Sequence, residues 1–293
     1  MSTRFWFLTL AAIAAAALTG PSRASAQSPQ VPTAIPQTKF DSGQDIVPVY
    51  EGWIRNPDGS FDLVFGYFNR NYKEELAIPA GPNNTVEPGG PDRGQPTYFL
   101  PRRQARLFRV RVPADWGTQT LVWTITVNGR AEKAYGDLLP VQEINEKIIA
   151  SGGNSVPFGD EDPNKPPTIA VAPVSRASVS APVTLTATVT DDGLPRPRTT
   201  PARAATTAAD GRIERQVNTS GAARPRGLTV RWFEYRGPGK VMFEPDGAVP
   251  VVGGMATTSA RFAAPGIYTL IGTANDGQLS QRTTVTVTVT VEP

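Results

Sequence analysis

Oxygen-bearing side chains that can bind a hard cation recur where strand-like runs and linkers end. They form three acidic or amide groups along the chain: Asp160 and Asp162, Asp191 and Asp192, and Asn275 with Asp276. Calcium takes about six to eight oxygen ligands, and strand-end loops of a sandwich lie near an entering linker. These six residues therefore predict a calcium site. The alternative is that Asp-Asp-Gly and Asn-Asp-Gly are ordinary turns and that the acidic linker is solvated.

Aromatic side chains in loop-like segments are a second kind of binding group. Fifteen of the 24 aromatic residues fall between Phe40 and Phe158. Four of them lie in or beside predicted loops: Tyr72, Tyr98, Phe99 and Trp116. An exposed ring there stacks on a sugar or anchors a protein partner, so these four are predicted ligand contacts. The alternative is that they are core residues, which a sandwich without disulfides needs in number.

Composition excludes several kinds of catalysis. The chain has no His and no Cys, which removes Ser-His-Asp and Cys-His nucleophilic chemistry and the commonest zinc ligands. Carboxylate pairs such as Glu74-Glu75 and Asp191-Asp192 leave glycoside hydrolysis open as an alternative. Neighbours on a strand point to opposite faces, however, so their spacing gives that chemistry no support. We predict no catalytic residues, and no cofactor other than calcium.

The N-terminal residues 1–26 have the pattern of a secretory signal. Arg4 precedes an apolar run from Phe5 to Leu18, and Ala24-Ser25-Ala26 supplies a small-residue cleavage site. The run is shorter than the roughly 20 residues of a membrane span, so we expect no transmembrane segment in the mature chain. Removal of Arg4 and Arg23 lowers the count of basic residues from 29 to 27, against 26 acidic residues. The expected protein is exported, periplasmic or secreted, and nearly neutral.

Alternating patterns past a flexible leader at 27–44 predict strands that would position these groups. Asn56-Pro57-Asp58-Gly59 separates two aromatic-rich runs, and Asn128-Gly129 follows the alternating run that contains Trp123. Both segments are typical of β-hairpin turns. The Pro- and Gly-rich stretch 79–97 is interpreted as a long irregular loop. We therefore predict an aromatic-rich β-sandwich at 45–138.

The rest of the chain divides into a connection and a second domain. Residues 139–150 are the one predicted helix, and the connection of helix and linker covers 139–166. A second β domain is predicted at 167–293, where β-branched residues alternate with a period of two. The segment 194–227 within it is rich in Arg and Pro and poor in apolar residues, so we expect a disordered basic insertion. No aromatic residue interleaves its arginines, so specific nucleic-acid binding is not expected.

The second domain resembles a known kind of module. The segments VTLTATVTDDG, LTVRWFEY and ARFAAPGIYTLIGTANDGQLSQRTTVTVTV are similar to bacterial Ig-like, PKD-like and cadherin-like domains of exported proteins. The resemblance implies that Trp232 is the core tryptophan and that Tyr268 is a corner tyrosine. It also makes calcium at a linker plausible. The WxFGDG-type motif of PKD domains is missing. The N-terminal block resembles a domain of exported bacterial proteins without a known activity.

The sequence thus predicts an all-β protein of two β-sandwich, Ig-like domains joined by a short helix and linker. The predicted function is a non-catalytic exported binding, adhesion or structural module. Its partners would be a protein or a glycan at the cell envelope. The alternative is an accessory or catalytic domain that acts on carbohydrate through a carboxylate pair.

Overall fold

The computed structural model describes residues 39–152, 163–174, 176–179, 181–195 and 227–291. The predicted signal peptide 1–26, most of the leader, Asp160 and Asp162 of the linker, and residues 196–226 of the basic insertion lie outside the described residues. The described chain is almost entirely β-structure in several sheets. The predicted all-β, β-sandwich fold class is confirmed.

Eight strands build the first sandwich. They are β1 (Ile46–Arg55), β2 (Phe61–Asn69), β3 (Leu76–Ala77), β4 (Asn84–Glu87), β5 (Tyr98–Phe99), β6 (Arg102–Val112), β7 (Leu121–Val127) and β8 (Arg130–Gly136). One sheet has the order β1-β2-β6, the other has the order β4-β7-β8, and β3 pairs with β5. All of these pairings are antiparallel. Aromatic side chains fill the space between the two sheets.

Both predicted hairpins are confirmed. The first turn is closed by a hydrogen bond from the Asn56 N–H to the Ser60 carbonyl (2.8 Å), and Gly59 has a φ of 85°. Asn128 and Gly129 have φ values of 52° and 76°, as a two-residue type I′ turn between β7 and β8 requires. These turns fix the strand register, and with it the side chains that enter the core.

Three local predictions are wrong in part. The stretch 79–97 is not wholly irregular, because β4 lies inside it and pairs with β7. The single helix expected at 139–150 is instead a 3₁₀ turn (Pro140–Gln142) followed by the short helix α1 (Glu146–Ala150). Asn145 caps the N-terminus of this helix, because its side chain accepts a hydrogen bond from the Ile148 N–H (2.9 Å). The expected leader also ends early, since residues 40 and 41 already accept hydrogen bonds from the backbone at 72–74.

Nine strands within the described parts of 168–290 build the second sandwich. They are β9 (Thr168–Val171), β10 (Arg176–Ser178), β11 (Val183–Thr190), β12 (Thr229–Arg236), β13 (Val241–Glu244), β14 (Ala248–Pro250), β15 (Met255–Phe262), β16 (Gly266–Asn275) and β17 (Ser280–Thr290). One sheet has the order β10-β17-β16-β12-β14, and the facing sheet has the order β13-β15-β11-β9. The strict Thr/Val alternation of β17 places its valines inward and its threonines outward.

The core of the second sandwich contains the two residues that the resemblance singled out. Trp232 is 4% exposed, and Tyr268 is fully buried. The Tyr268 hydroxyl donates a hydrogen bond to the Ala264 carbonyl (2.8 Å), which ties β16 to the turn before it. This is the arrangement of a tyrosine corner.

None of the helices in the described ranges is long and apolar enough to cross a membrane.

Candidate functional site

Asp191 and Asp276 come together at one end of the second sandwich, although they follow strands of different sheets. Asp276 is 6% exposed, and its Oδ1 atom accepts hydrogen bonds from the backbone N–H groups of Gln278 (2.6 Å) and Leu279 (2.7 Å). The second oxygen of Asp276 and the Oδ1 atom of Asp191 are both buried without a hydrogen-bond partner. Buried acceptors without a donor are unfavourable, so this arrangement suits a cation.

The charge state of Asp191 responds to this environment. Burial raises the pKa of the Asp191 carboxyl, and the nearby charges of Asp276 and Asp192 raise it further. A hydrogen bond from the Gly193 N–H acts in the opposite direction. A carboxylate that is buried beside another negative charge is stabilised either by a proton or by a metal ion.

The other predicted calcium ligands are placed differently. Asp192 accepts backbone hydrogen bonds from Lys165 (2.9 Å) and Leu194 (2.9 Å), which lower its pKa. The Asn275 side chain accepts one from the Gly277 N–H (2.8 Å). These two residues therefore act as turn formers, as the alternative interpretation proposed. Within the described ranges no three carboxylates converge as a metal cluster, so further ligands would have to be carbonyl oxygens or water.

Three of the four predicted ligand-contact aromatics are buried, which contradicts their use as exposed stacking platforms. Phe99 is fully buried and packs against Tyr67, with ring centroids 4.9 Å apart. Tyr98 is 6% exposed and Trp116 is 7% exposed. For Tyr98 and Phe99 the cause is that these residues form a strand rather than a loop. Only Tyr72 remains at the surface, where the Arg102 guanidinium lies 4.0 Å from its ring centroid.

Tyr98 belongs to a polar network that links the two sandwiches, which sequence reasoning missed. Its hydroxyl donates to Glu75 (2.6 Å), and the other oxygen of Glu75 accepts from the Lys240 ammonium (2.8 Å). Burial and the neighbouring Glu75 raise the pKa of Tyr98. Nearby, Glu234 is 3% exposed, and burial raises its pKa to about 8.

A second set of contacts joins the end of β12 to the segment 92–97. The Thr97 N–H donates to the Tyr235 carbonyl (3.1 Å), and the Tyr235 hydroxyl donates to the Gly94 carbonyl. Arg236 binds the Asp92 carboxylate through two nitrogens (2.7 and 3.1 Å) and the Gln95 carbonyl through a third (2.9 Å). Hydrogen bonds from Arg236 lower the pKa of Asp92. The supposed irregular loop is therefore a docking element.

Apolar packing reinforces this junction. Tyr235 and Ile271, from β12 and β16, belong to the same buried cluster as the core of the first sandwich. Phe233 packs against that cluster as a partly buried residue. The two sandwiches are thus in direct contact, in addition to being joined through the chain.

A cleft of about 780 Å³ opens at the junction. Its walls come from β6, α1, the segment 164–166 and the start of β17. The Ser280 hydroxyl donates to the Ala150 carbonyl (3.0 Å) and closes one side. Clefts of roughly 300–1,000 Å³ are the usual size for small-molecule sites.

No protein-family model and no curated protein matches this chain. Among solved structures, domains 4 and 5 of the S-layer protein SbsC are 14% identical over 60% of this chain and 66% of that chain, with a TM-score of 0.25. A chimeric titin Z1Z2 that carries a peptide from decorin is 10% identical over 84% and 97%, with a TM-score of 0.25. The N-terminal eight Ig domains of Down Syndrome Cell Adhesion Molecule are 9% identical over 84% and 27%, with a TM-score of 0.23. Similarity this low carries no argument about function.

Proposed function

We propose that this protein is an exported, non-catalytic binding, adhesion or structural module of the cell envelope, periplasmic or secreted. The observation that carries the proposal is the docking of the two sandwiches. Arg236, Tyr235 and Lys240 of the second sandwich all bond to the first. Domains that only share a flexible linker move independently, whereas a bonded and apolar junction holds one orientation. A fixed tandem suits a module that presents a surface or carries load.

The surface features of the tandem support a binding role. Tyr72 is 36% exposed beside Arg102, so it remains a proposed contact for a protein or glycan partner. We propose that the mature chain does not bind nucleic acid specifically and has no transmembrane segment.

The alternative, a carbohydrate-active enzyme, needs two carboxyl groups that face each other across a cleft. Glu74 instead accepts the Gly43 N–H (2.7 Å), and Glu75 is engaged by Tyr98 and Lys240. Glu146, in the cleft, forms a two-point ion pair with Arg109 (2.5 and 2.7 Å). These carboxylates have structural roles, which favours the non-catalytic proposal.

The test uses the mature chain 27–293 with isolated cell envelopes and extracellular polysaccharide. We expect saturable co-sedimentation without release of reducing sugar ends. Release of reducing ends that Glu75→Gln or Glu146→Gln abolishes would support the enzyme instead. Absence of both binding and hydrolysis would contradict the binding form of the proposal.

We also propose that the Asp191 and Asp276 pair binds calcium. It is supported by the two buried carboxylate oxygens without donors and by the Asp276 charge, which raises the pKa of Asp191. A cation would join the strand ends after β11 and β16, close to where Asp192 binds the Lys165 backbone. The proposed role is to stiffen the point at which the chain enters the second sandwich.

Calcium binding predicts a stability gain that depends on Asp276. Ca²⁺ at about 100 times its dissociation constant should stabilise the folded chain by ~2.7 kcal/mol, measured by thermal melting with calorimetric titration. Asp276→Asn keeps an oxygen for the two backbone N–H groups but should lose the calcium response. Asp246→Asn, at an exposed loop position, is the matched control. No heat and no change in Tm at millimolar Ca²⁺ would overturn the site.

A further inference from the structure

The cleft at the junction has an excess of positive charge. Five cationic side chains and one carboxylate line it: Arg106, Arg109, Lys147, Lys165 and Arg282, with Glu146. Glu146 pairs with Arg109, and the Glu51 carboxylate lies 4.0 Å from the Arg106 guanidinium. Leu107 and Leu279 also line the cleft, and both are largely buried. No aromatic side chain is among the lining residues. Such a site attracts an anion and offers bases nothing to stack on.

Arg282, on β17, is one of the cations that line this cleft. Its guanidinium donates to the backbone carbonyls of Arg106 (2.6 Å) and Ala105 (3.4 Å), which holds the side chain in place. Across the described residues no carboxylate forms an ion pair with it. Burial of its guanidinium and the like charges of Arg106 and Arg109 lower the pKa of Arg282, and the Glu51 carboxylate acts in the opposite direction. The residue as a whole is exposed to solvent. An anion would relieve this repulsion.

The neighbouring strand is irregular at the point that faces Arg282. The pairing of β2 with β6 shifts register between Phe65 and Tyr67, and Arg106 has a φ of 48°. The buried Glu51 carboxylate stabilises this bulge by accepting the Arg106 N–H (3.1 Å) and the Arg103 guanidinium (2.5 Å). Bulges redirect side chains and are common beside functional sites. Here the bulge brings the Arg106 side chain to the cleft wall.

We propose that this cleft binds a phosphate ester. Guanidinium groups match phosphate oxygens in two-point geometry, and a dianion balances the charge excess better than a single carboxylate does. The volume of about 780 Å³ leaves room for the group that carries the phosphate. The source is either a soluble phosphate-bearing glycan or a phospholipid headgroup. The inference rests on the proposed binding role and names its ligand class.

The test compares the mature chain with two cleft variants and one control. Glycerol 1-phosphate is titrated calorimetrically at low salt, and vesicles of anionic or zwitterionic phospholipid are used in co-sedimentation. Arg282→Gln and Lys165→Gln should each weaken binding at least about tenfold, because each loses a charge at the phosphate. Arg231→Gln, at an exposed position on β12, should stay within about twofold, and binding should weaken as salt is added.

The titration and the co-sedimentation distinguish the two possible sources of the phosphate. Binding to glycerol 1-phosphate supports a soluble ester, and binding only to anionic vesicles supports a lipid headgroup. Unchanged affinity in both cleft variants overturns the site, because all variants keep the basic segment 194–227. Glucuronate is titrated in the same way as a carboxylate control, and its binding without binding of glycerol 1-phosphate overturns the ligand class. If no phosphate binds while the chain still sediments with envelopes, this inference fails and the proposed function stands. A matching Tm for each variant excludes unfolding as the cause.

Discussion

The buried carboxyl of Glu234, near the junction, makes the stability of the folded chain depend on pH. It lies on β12, and its Oε2 atom accepts the Val241 N–H (2.9 Å), whereas its Oε1 atom is buried without a partner. Burial is the main reason that its pKa rises from 4.5 to about 8, and the Glu75 charge adds to the effect. The folded chain therefore holds this proton at neutral pH, whereas the unfolded chain releases it.

The first prediction follows from the sign of this shift. Between about pH 5 and pH 8 the unfolded state binds fewer protons at this group, so stability falls as pH rises, by up to ~1.4 kcal/mol per pH unit. Glu234→Gln keeps the acceptor for Val241 and removes the titration. Urea unfolding should show a flatter pH profile, and at pH 8 a stability about 1 kcal/mol or more above the parent. Glu244→Gln, exposed on β13, should leave the profile unchanged. The same slope in both variants would contradict the argument.

At the scale of elements, those that local sequence determines could be predicted, whereas those that depend on tertiary contacts could not. The hairpin turns at 56–59 and 128–129 could be predicted because the turn residues act locally. Strand β4 could not, since Pro and Gly surround its four residues. This strand is held in place by Asn84, which is fully buried. The Asn84 side chain accepts a hydrogen bond from the Trp123 indole N–H (2.9 Å) and donates to the carbonyls of Ile78 (3.0 Å) and Pro96 (2.8 Å). A buried amide with three partners leaves no periodic signal in a sequence.

The residues of the candidate sites also fall into those that the sequence could predict and those that it could not. Asp191 and Asp276 could be predicted as neighbours because both follow strands of one sandwich, and strand ends of facing sheets cluster. Arg282 and Arg106 could not, because they are 176 residues apart and meet only through the docking of the two sandwiches. The burial of Tyr98 and Phe99 was missed for a related reason: their pairing with β3 turns a presumed loop into a strand.

At the scale of the whole molecule, the junction determines whether the two sandwiches behave as one. The backbone of Thr97, the hydroxyl of Tyr235 and the guanidinium of Arg236 bond across it, and Ile271 shares the first core. Loss of contact would expose this apolar surface and the buried polar groups around it together. The cost of separation therefore falls on both halves, which couples their unfolding.

This coupling predicts one cooperative thermal transition for the described body. In differential scanning calorimetry the van't Hoff and calorimetric enthalpies should agree for the mature chain. Arg236→Ala removes the pair with Asp92 and the bond to Gln95, and it leaves that carbonyl without its donor. The variant should therefore show two transitions, or a calorimetric enthalpy that exceeds the van't Hoff value. Arg231→Ala, exposed on the same strand, should keep the single transition. Two separate transitions in the parent chain would show that the sandwiches unfold independently. That result would contradict a fixed tandem of the two sandwiches.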